Sequence, residues 1–202
     1  MTKASPSSSK SIRATPPPSG LLYDEWLVMM AKAGEPQAAQ RLFERWNPRL
    51  ARAARRYGIG DEAARDLAQE CWLAIFKGLG KLRDPARFRA YAFAVLHRRG
   101  SDHLRKALRE RDVMAKKASE PPATPGETIS ERTAITQAFA RLAPDQRLAA
   151  HLHFVEGLTL HEIAQVQQIP EGTAKSRIFH ARRKLKEALT PFDEGDRYDQ
   201  SR

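Results

Sequence analysis

Residues 156–185, EGLTLHEIAQVQQIPEGTAKSRIFHARRKL, confine this chain more than any other stretch. The spacing of apolar residues is helical on both sides of Pro170, and Pro170 cannot continue the helix before it, having no N–H to donate and a ring that clashes with the preceding turn. The stretch therefore reads as two short helices and a tight turn. Thr159 stands ahead of Leu160, His161 and Glu162, the spacing of a capping box. Leu160, Ile163, Ala164 and Val166 give the first helix an apolar face. The second opens near Glu171, and Ala174, Ile178, Ala181, Leu185 and Leu189 follow at steps of four, three, four and four, one stripe down one side.

The rest of that second helix is basic. Residues 171–189 hold six Lys or Arg against Glu171 and Glu187, net +4. In a helix-turn-helix the N-terminal part of the second helix meets base edges in the major groove, while flanking cations meet phosphates. Lys175, Ser176 and Arg177 are placed for base edges, and Arg182, Arg183 and Lys184 for phosphates; Thr173 and His180 complete the face. A solvated basic face on an ordinary helical hairpin is the plainer alternative. The turn and the stripe together favour DNA.

The whole chain agrees with a polyanionic partner. Its 202 residues carry a net charge of +11, enough chain for one or two small domains. A second basic stretch, residues 87–111, has eight Lys or Arg against Asp102 and Glu110. No apolar run approaches the length of a membrane span, and the N-terminus has no apolar core, so a cytoplasmic protein without membrane insertion is expected. Cys71 stands alone among Trp72, Leu73 and Ile75 and reads as a buried structural thiol. His151 and His153 are two apart, so a helix points them to different sides and no metal pair results. No phosphate-binding glycine loop, nucleophile elbow or catalytic carboxylate pair is visible, and neither a cofactor nor an enzyme is expected.

The organisation expected is all-α, two small helical domains on a flexible linker. Residues 1–20 are rich in Ser and Pro and read as disordered. Residues 21–111 read as helices, with Trp26, Trp46 and Trp72 on apolar stripes and Asp84-Pro85 opening a long fourth helix. Residues 112–130, with Pro121, Pro122, Pro125 and Gly126, form the linker. Residues 131–190 make the second unit, and an acidic, frayed tail follows.

Taken together these motifs resemble a sigma factor of the sigma-70 family, of the short extracytoplasmic-function type. DLAQECWLAIF (66–76) and RFRAYAFAVL with DHLRK (87–96, 102–106) resemble its region 2; LAPDQR (142–147), EGLTLHEIA (156–164) and IPEGTAKSR with HARRKL (169–177, 180–185) resemble its region 4. The resemblance implies a promoter-specificity subunit of core RNA polymerase. Asp66, Gln69 and Glu70 would dock the β′ clamp, and the second unit would also meet the β flap. The following loop and fourth helix would open the −10 element. Phe88 and Tyr91 offer stacking surfaces there, with core the plainer reading of Phe88; Lys81, Arg83, Arg87, Arg89, Arg98, Arg99 and Arg105 would be cations, Arg105 alternatively an ion pair with Asp102, and the loop 77–83 would line a pocket for a flipped base. The basic helix 171–189 would read −35 through Thr173, Lys175, Ser176, Arg177, His180, Arg182 and Arg183. An anti-sigma partner is implied as well. The chain departs from the family pattern at Tyr91 (usually Trp), Arg98 (usually Asn), Gln168 (usually Gly) and Ala174 (usually β-branched). Two rival classes stand beside this reading. One is a conventional helix-turn-helix regulator, which leaves residues 61–106 without a task; the other is a basic protein binding nucleic acid without sequence preference.

Overall fold

The computed structural model describes residues 20–115 and 131–189. The tail before Gly20, residues 116–130 of the expected linker and the tail after Leu189 lie outside the described residues. Four helices make the first unit: α1 (Gly20–Lys32), α2 (Pro36–Ala54), α3 (Asp61–Leu79) and α4 (Phe88–Ala115). Four more make the second: α5 (Glu131–Ala140), α6 (Pro144–Phe154), α7 (Leu160–Gln167) and α8 (Glu171–Leu189). No strand occurs among the described residues. The all-α expectation holds.

Local chemistry sets the boundaries. Pro36 sits at the start of α2, where a missing N–H costs nothing, and the helix runs on through Pro48. After Ala54 a 3-10 turn, Arg55–Tyr57, ends on Gly58 in the left-handed region at φ 68°. Asp84 caps the 3-10 turn Pro85–Arg87 by accepting from the Ala86 N–H at 3.0 Å, and α4 follows directly. Its end at Ala115 lies four residues past the expected one, Arg111, inside the stretch assigned to the linker.

The first core gathers one stripe from each helix. Trp46 is 1% exposed and stands edge-on to Phe88 at 5.1 Å between ring centroids. Leu42, Leu50, Leu67, Ile75, Phe93 and Leu96 close around them. Truncating such an aromatic to Ala costs about 3–5 kcal/mol. Cys71 is fully buried in the same cluster, and burial pushes its thiol up to about 12, so it stays a protonated, inert apolar group. A smaller cluster of Phe139, Leu142, Ala150, Ala181 and Leu185 ties α5 and α6 to the end of α8.

One feature was not expected. The two units pack on each other, with α4 against α7, and Leu148, Leu152, Leu158, Ile163 and Val166 join the same apolar cluster as Trp46 and Leu96. Ion pairs rim this seam. Arg49 reaches Glu156 at 2.7 Å, and Arg89 reaches Glu162 at 3.0 Å.

Candidate nucleic-acid interface

The helix-turn-helix forms as its sequence dictates. The Glu162 N–H donates to Thr159 Oγ1 at 3.2 Å, and the Thr159 N–H donates to Glu162 Oε2 at 2.8 Å, a complete capping box. Gln168 takes the turn at φ 53°, the left-handed region that glycine adopts freely and other residues enter at a cost of about 1–2 kcal/mol. Ala174, Ile178, Ala181 and Leu185 are buried, which turns the opposite side of α8 to solvent.

That outer face carries Lys175, Ser176, His180, Arg182 and Arg183, all exposed, with Thr173 half-buried beside them. Ser176 donates to the Thr173 carbonyl at 2.9 Å. Phe179, which the residue-type reasoning passed over, stands 62% exposed at its centre and meets the His180 ring edge at 5.6 Å. Its signal was present in the sequence: it lies off the apolar stripe, three residues from Ser176 and four from Lys175. A single exposed aromatic is ordinary on a protein surface; on this basic face its ring offers an apolar contact beside the cations.

Arg177 is placed differently from the expectation. Its Nη2 donates to Asp145 Oδ2 at 2.8 Å and its Nη1 to Gln167 Oε1 at 2.9 Å. The guanidinium is committed within the unit rather than projected with Lys175 and Ser176.

The loop after α3 does build a pocket. A cavity of about 470 Å³ is lined by Gly78, Lys81, Leu82, Arg83, Asp84, Arg87 and Tyr91. Tyr91 donates its hydroxyl to the Ile75 carbonyl at 3.2 Å, which fixes the ring against the pocket wall, and partial burial pushes that phenol up. Lys81, Arg83 and Arg87 are exposed at the rim. The cavity thus combines an anchored aromatic wall with cations, the chemistry that single-stranded nucleic acid uses.

Other members of the expected −10 set fall elsewhere. Phe88 is 1% exposed beneath Trp46, so it takes the core placement and offers no stacking face, which corrects its place in the −10 set. Arg89 is drawn away from the pocket to both Glu162 oxygens, at 3.0 and 3.2 Å, and to the Glu156 carbonyl at 3.3 Å. In this arrangement it meets carboxylate where a phosphate contact was expected. Arg98 is exposed beside a separate groove with Val95, Arg99 and Asp102, and Arg105 is paired with Asp102 at 2.7 Å.

A third surface lies on α3. Asp66 and Gln69 are exposed, and half-exposed Glu70 meets Arg99 at 3.5 Å and His103 at 3.2 Å. One turn further on, Leu73 is 76% exposed, and Phe76 and Phe43 are 38% and 37% exposed on either side of Trp72. Charge with an apolar centre is the anatomy of a protein-docking patch. Leu73 and Phe76 were passed over although they lie off the buried stripe of Ala64, Leu67, Cys71 and Ile75, on the side that carries Asp66 and Gln69.

Comparison with known proteins matches these surfaces to regions. The description Sigma-70 region 2 fits residues 42–110, and Sigma-70, region 4 fits residues 132–185. The RNA polymerase sigma-H factor of Pseudomonas aeruginosa is 28% identical over 183 residues, covering 84% of this chain and 95% of that protein. The ECF RNA polymerase sigma factor SigM of Mycobacterium tuberculosis is 27% identical over 172 residues, covering 85% and 87%. Among solved structures, the sigma factor RpoE of Bartonella quintana, crystallised with the anti-sigma factor NepR, superposes with a TM-score of 0.63 at 23% identity, covering 75% of this chain and 96% of that one. No helix among the described residues is long and apolar enough to cross a membrane.

Proposed function

The chain belongs to the sigma-70 family, as an extracytoplasmic-function member, and from that premise we propose that it directs core RNA polymerase to promoters by three surfaces. α3 docks the polymerase β′ clamp, the Tyr91 cavity holds an unpaired base of the −10 element, and α8 reads −35. The observation that carries this reading is the Tyr91 cavity, built on the same chain as a basic helix-turn-helix. A DNA-reading helix alone fits a conventional regulator, which has no use for a cation-rimmed pocket walled by an anchored aromatic.

Magnitudes assign the work. Taking a base out of a duplex costs a few kcal/mol. A stack on Tyr91 returns about 1–3 kcal/mol. One stack does not reliably cover that cost, so phosphate contacts from Lys81, Arg83 and Arg87 and the grip of the polymerase complete the balance. Docking through α3 is supported by Leu73 and Phe76, which supply the apolar centre that Asp66, Gln69 and Glu70 surround. Catalysis of RNA synthesis belongs to the polymerase. An anti-sigma protein competing for the α3 face completes the reading, as the RpoE structure is itself a complex with such a factor.

Run-off transcription with core polymerase on fragmented genomic DNA of the source organism tests the proposal. New discrete transcripts that share −35 and −10 sequences and depend on this protein are expected. Absence of such transcripts together with absence of core binding would sink it in favour of a polymerase-independent regulator.

A further inference from the structure

Arg177 belongs to a closed ring of polar contacts that joins the three helices of the DNA-reading unit. Asp145 lies in the first turn of α6, where the helix dipole favours a carboxylate, and its Oδ2 accepts from Arg177 Nη2 at 2.8 Å. Gln167 is the last residue of α7 and only 4% exposed. Its Oε1 accepts from Arg177 Nη1 at 2.9 Å, and its Nε2 donates to the Asp145 backbone carbonyl at 3.1 Å. Each helix contributes one member, and no member of the ring is bonded only to its own element. On α8, Arg177 flanks the buried Ile178 and points along the edge of the packed side, while Lys175, Ser176 and Phe179 hold the outer one.

We propose that Arg177 is a positioning residue, which sets the angle at which α8 enters the major groove by clamping its second turn to Asp145 and Gln167, and that base edges are read by the outer face around Lys175, Ser176 and Phe179. The inference rests on α8 being the −35 reader. Base-edge hydrogen bonds require donor–acceptor distances of about 2.7–3.2 Å, so a small rotation of the helix spoils all of them together. The stripe of α8 runs through Ala174, Ile178, Ala181 and Leu185, and in the first turns beside the ring it offers two alanines and one isoleucine, small side chains that resist rolling weakly. A planar fork with two fixed partners on two other helices supplies that constraint, and a lysine supplies it less well, because its ammonium is a point charge without a rigid two-pronged donor geometry.

This makes the sign of one substitution decisive. Asp145 is half-exposed at the edge of the reading unit. If Arg177 left the ring to contact DNA, Asp145 would be a competitor for its charge and a repeller of phosphate, and Asp145→Asn would strengthen binding. If Arg177 positions the helix, the same change weakens binding.

The test uses holoenzyme assembled from the full chain and core polymerase, selecting from a DNA library randomised across the −35 hexamer in front of a fixed −10 element. Recovered sequences are counted for the wild type, Arg177→Lys, Asp145→Asn and Lys175→Ala. Arg177→Lys and Asp145→Asn are each expected to lower total recovery about five- to tenfold while flattening all −35 positions evenly, and the double variant to lose little more than either single one. Lys175→Ala is expected to erase preference at one position. Amide exchange across α8 should rise in its first turns in both ring variants, with circular dichroism unchanged. A loss of preference at one position in Arg177→Lys, or a gain in recovery with Asp145→Asn, would overturn the proposal while leaving the −35 reading intact. Failure of the wild-type holoenzyme to enrich any sequence would overturn the −35 reading and this inference with it.

Discussion

A Cβ placed on Gly78 would overlap the Tyr91 hydroxyl, so the bare backbone there is what lets the ring lie against the pocket. Gly78→Ala is expected to push Tyr91 off the Ile75 carbonyl and weaken promoter opening about tenfold, the equivalent of one base stack of about 1–3 kcal/mol. Permanganate reactivity at −10 measures it, and core binding should not change. His151 presents the opposite case, a polar group in the wrong place. It is fully buried, its two ring nitrogens have no hydrogen-bond partner, and Glu156 Oε1 stands at 3.6 Å. Burial lowers its pKa, against the opposing pull of Glu156 and with further lowering by Arg56 and Arg52. For Glu156, burial works upward, yet His151 and Arg49 outweigh it and the carboxyl ends below its usual range. Both folded pKa values are therefore depressed. Each group contributes stability that is present above its unfolded pKa and is lost as pH falls through the folded one, His151 from about 6.5 downward and Glu156 below about 4.5. His97, also lowered first by burial, adds to the same slope. Thermal melts at pH 7 and pH 5 should show a falling midpoint. His151→Leu should reduce that slope, since it removes the group that charges as pH falls; an unchanged slope would count against the assignment.

At the scale of single helices, α8 and α3 each carry an apolar residue on the side that faces water. Phe179→Ala should leave the melting midpoint nearly unchanged, because the ring is 62% exposed, while weakening holoenzyme affinity for a −35 duplex several-fold. Unaltered affinity in a gel-shift titration would remove Phe179 from the reading face. On α3, Asp66→Lys with Leu73→Lys should abolish binding to core polymerase while the far-ultraviolet spectrum stays helical. Glu70 is less suited to that test, since Arg99 and His103 already hold it and its loss would disturb α4. α7 shows how one side chain serves two elements. Glu162 completes the capping box of its own helix and, through the same carboxylate, holds Arg89 of α4.

For the whole molecule, the seam between α4 and α7 conflicts with the proposed task. The −35 and −10 elements lie about 25 base pairs apart, roughly 85 Å at the 3.4 Å rise of each strand. Units packed face to face cannot occupy both. On the proposed reading the promoter parts them, at the cost of uncovering Leu158, Ile163 and Val166 and breaking Arg49–Glu156 and Arg89–Glu162. Parting also frees Arg89 for phosphate. Dyes on cysteines substituted at Gln37 and Glu187, in a Cys71→Ser background, should transfer energy efficiently in the free protein. That transfer should collapse in the promoter complex; equal transfer in both states would exclude the opening.

The sequence by itself determined the helices, the turn at Pro170, the capping box at Thr159 and the basic side of α8, because each is a matter of neighbours within four residues. The cap at Asp84-Pro85 was legible in the same way, whereas a pocket at residues 77–83 was an implication of the family resemblance alone. Only the tertiary structure decided what each side meets and which residues beside the stripes stay exposed. Phe88 and Tyr91 are three apart and chemically alike, yet one lies under Trp46 and the other walls a cavity. Arg89 and Arg177 were read as cations for DNA, but a long flexible side chain takes whatever carboxylate packing brings near it. Glu162 and Asp145 come from 73 and 32 residues away. Spacing along one helix fixes the direction in which a residue points; what stands opposite depends on how the helices are stacked.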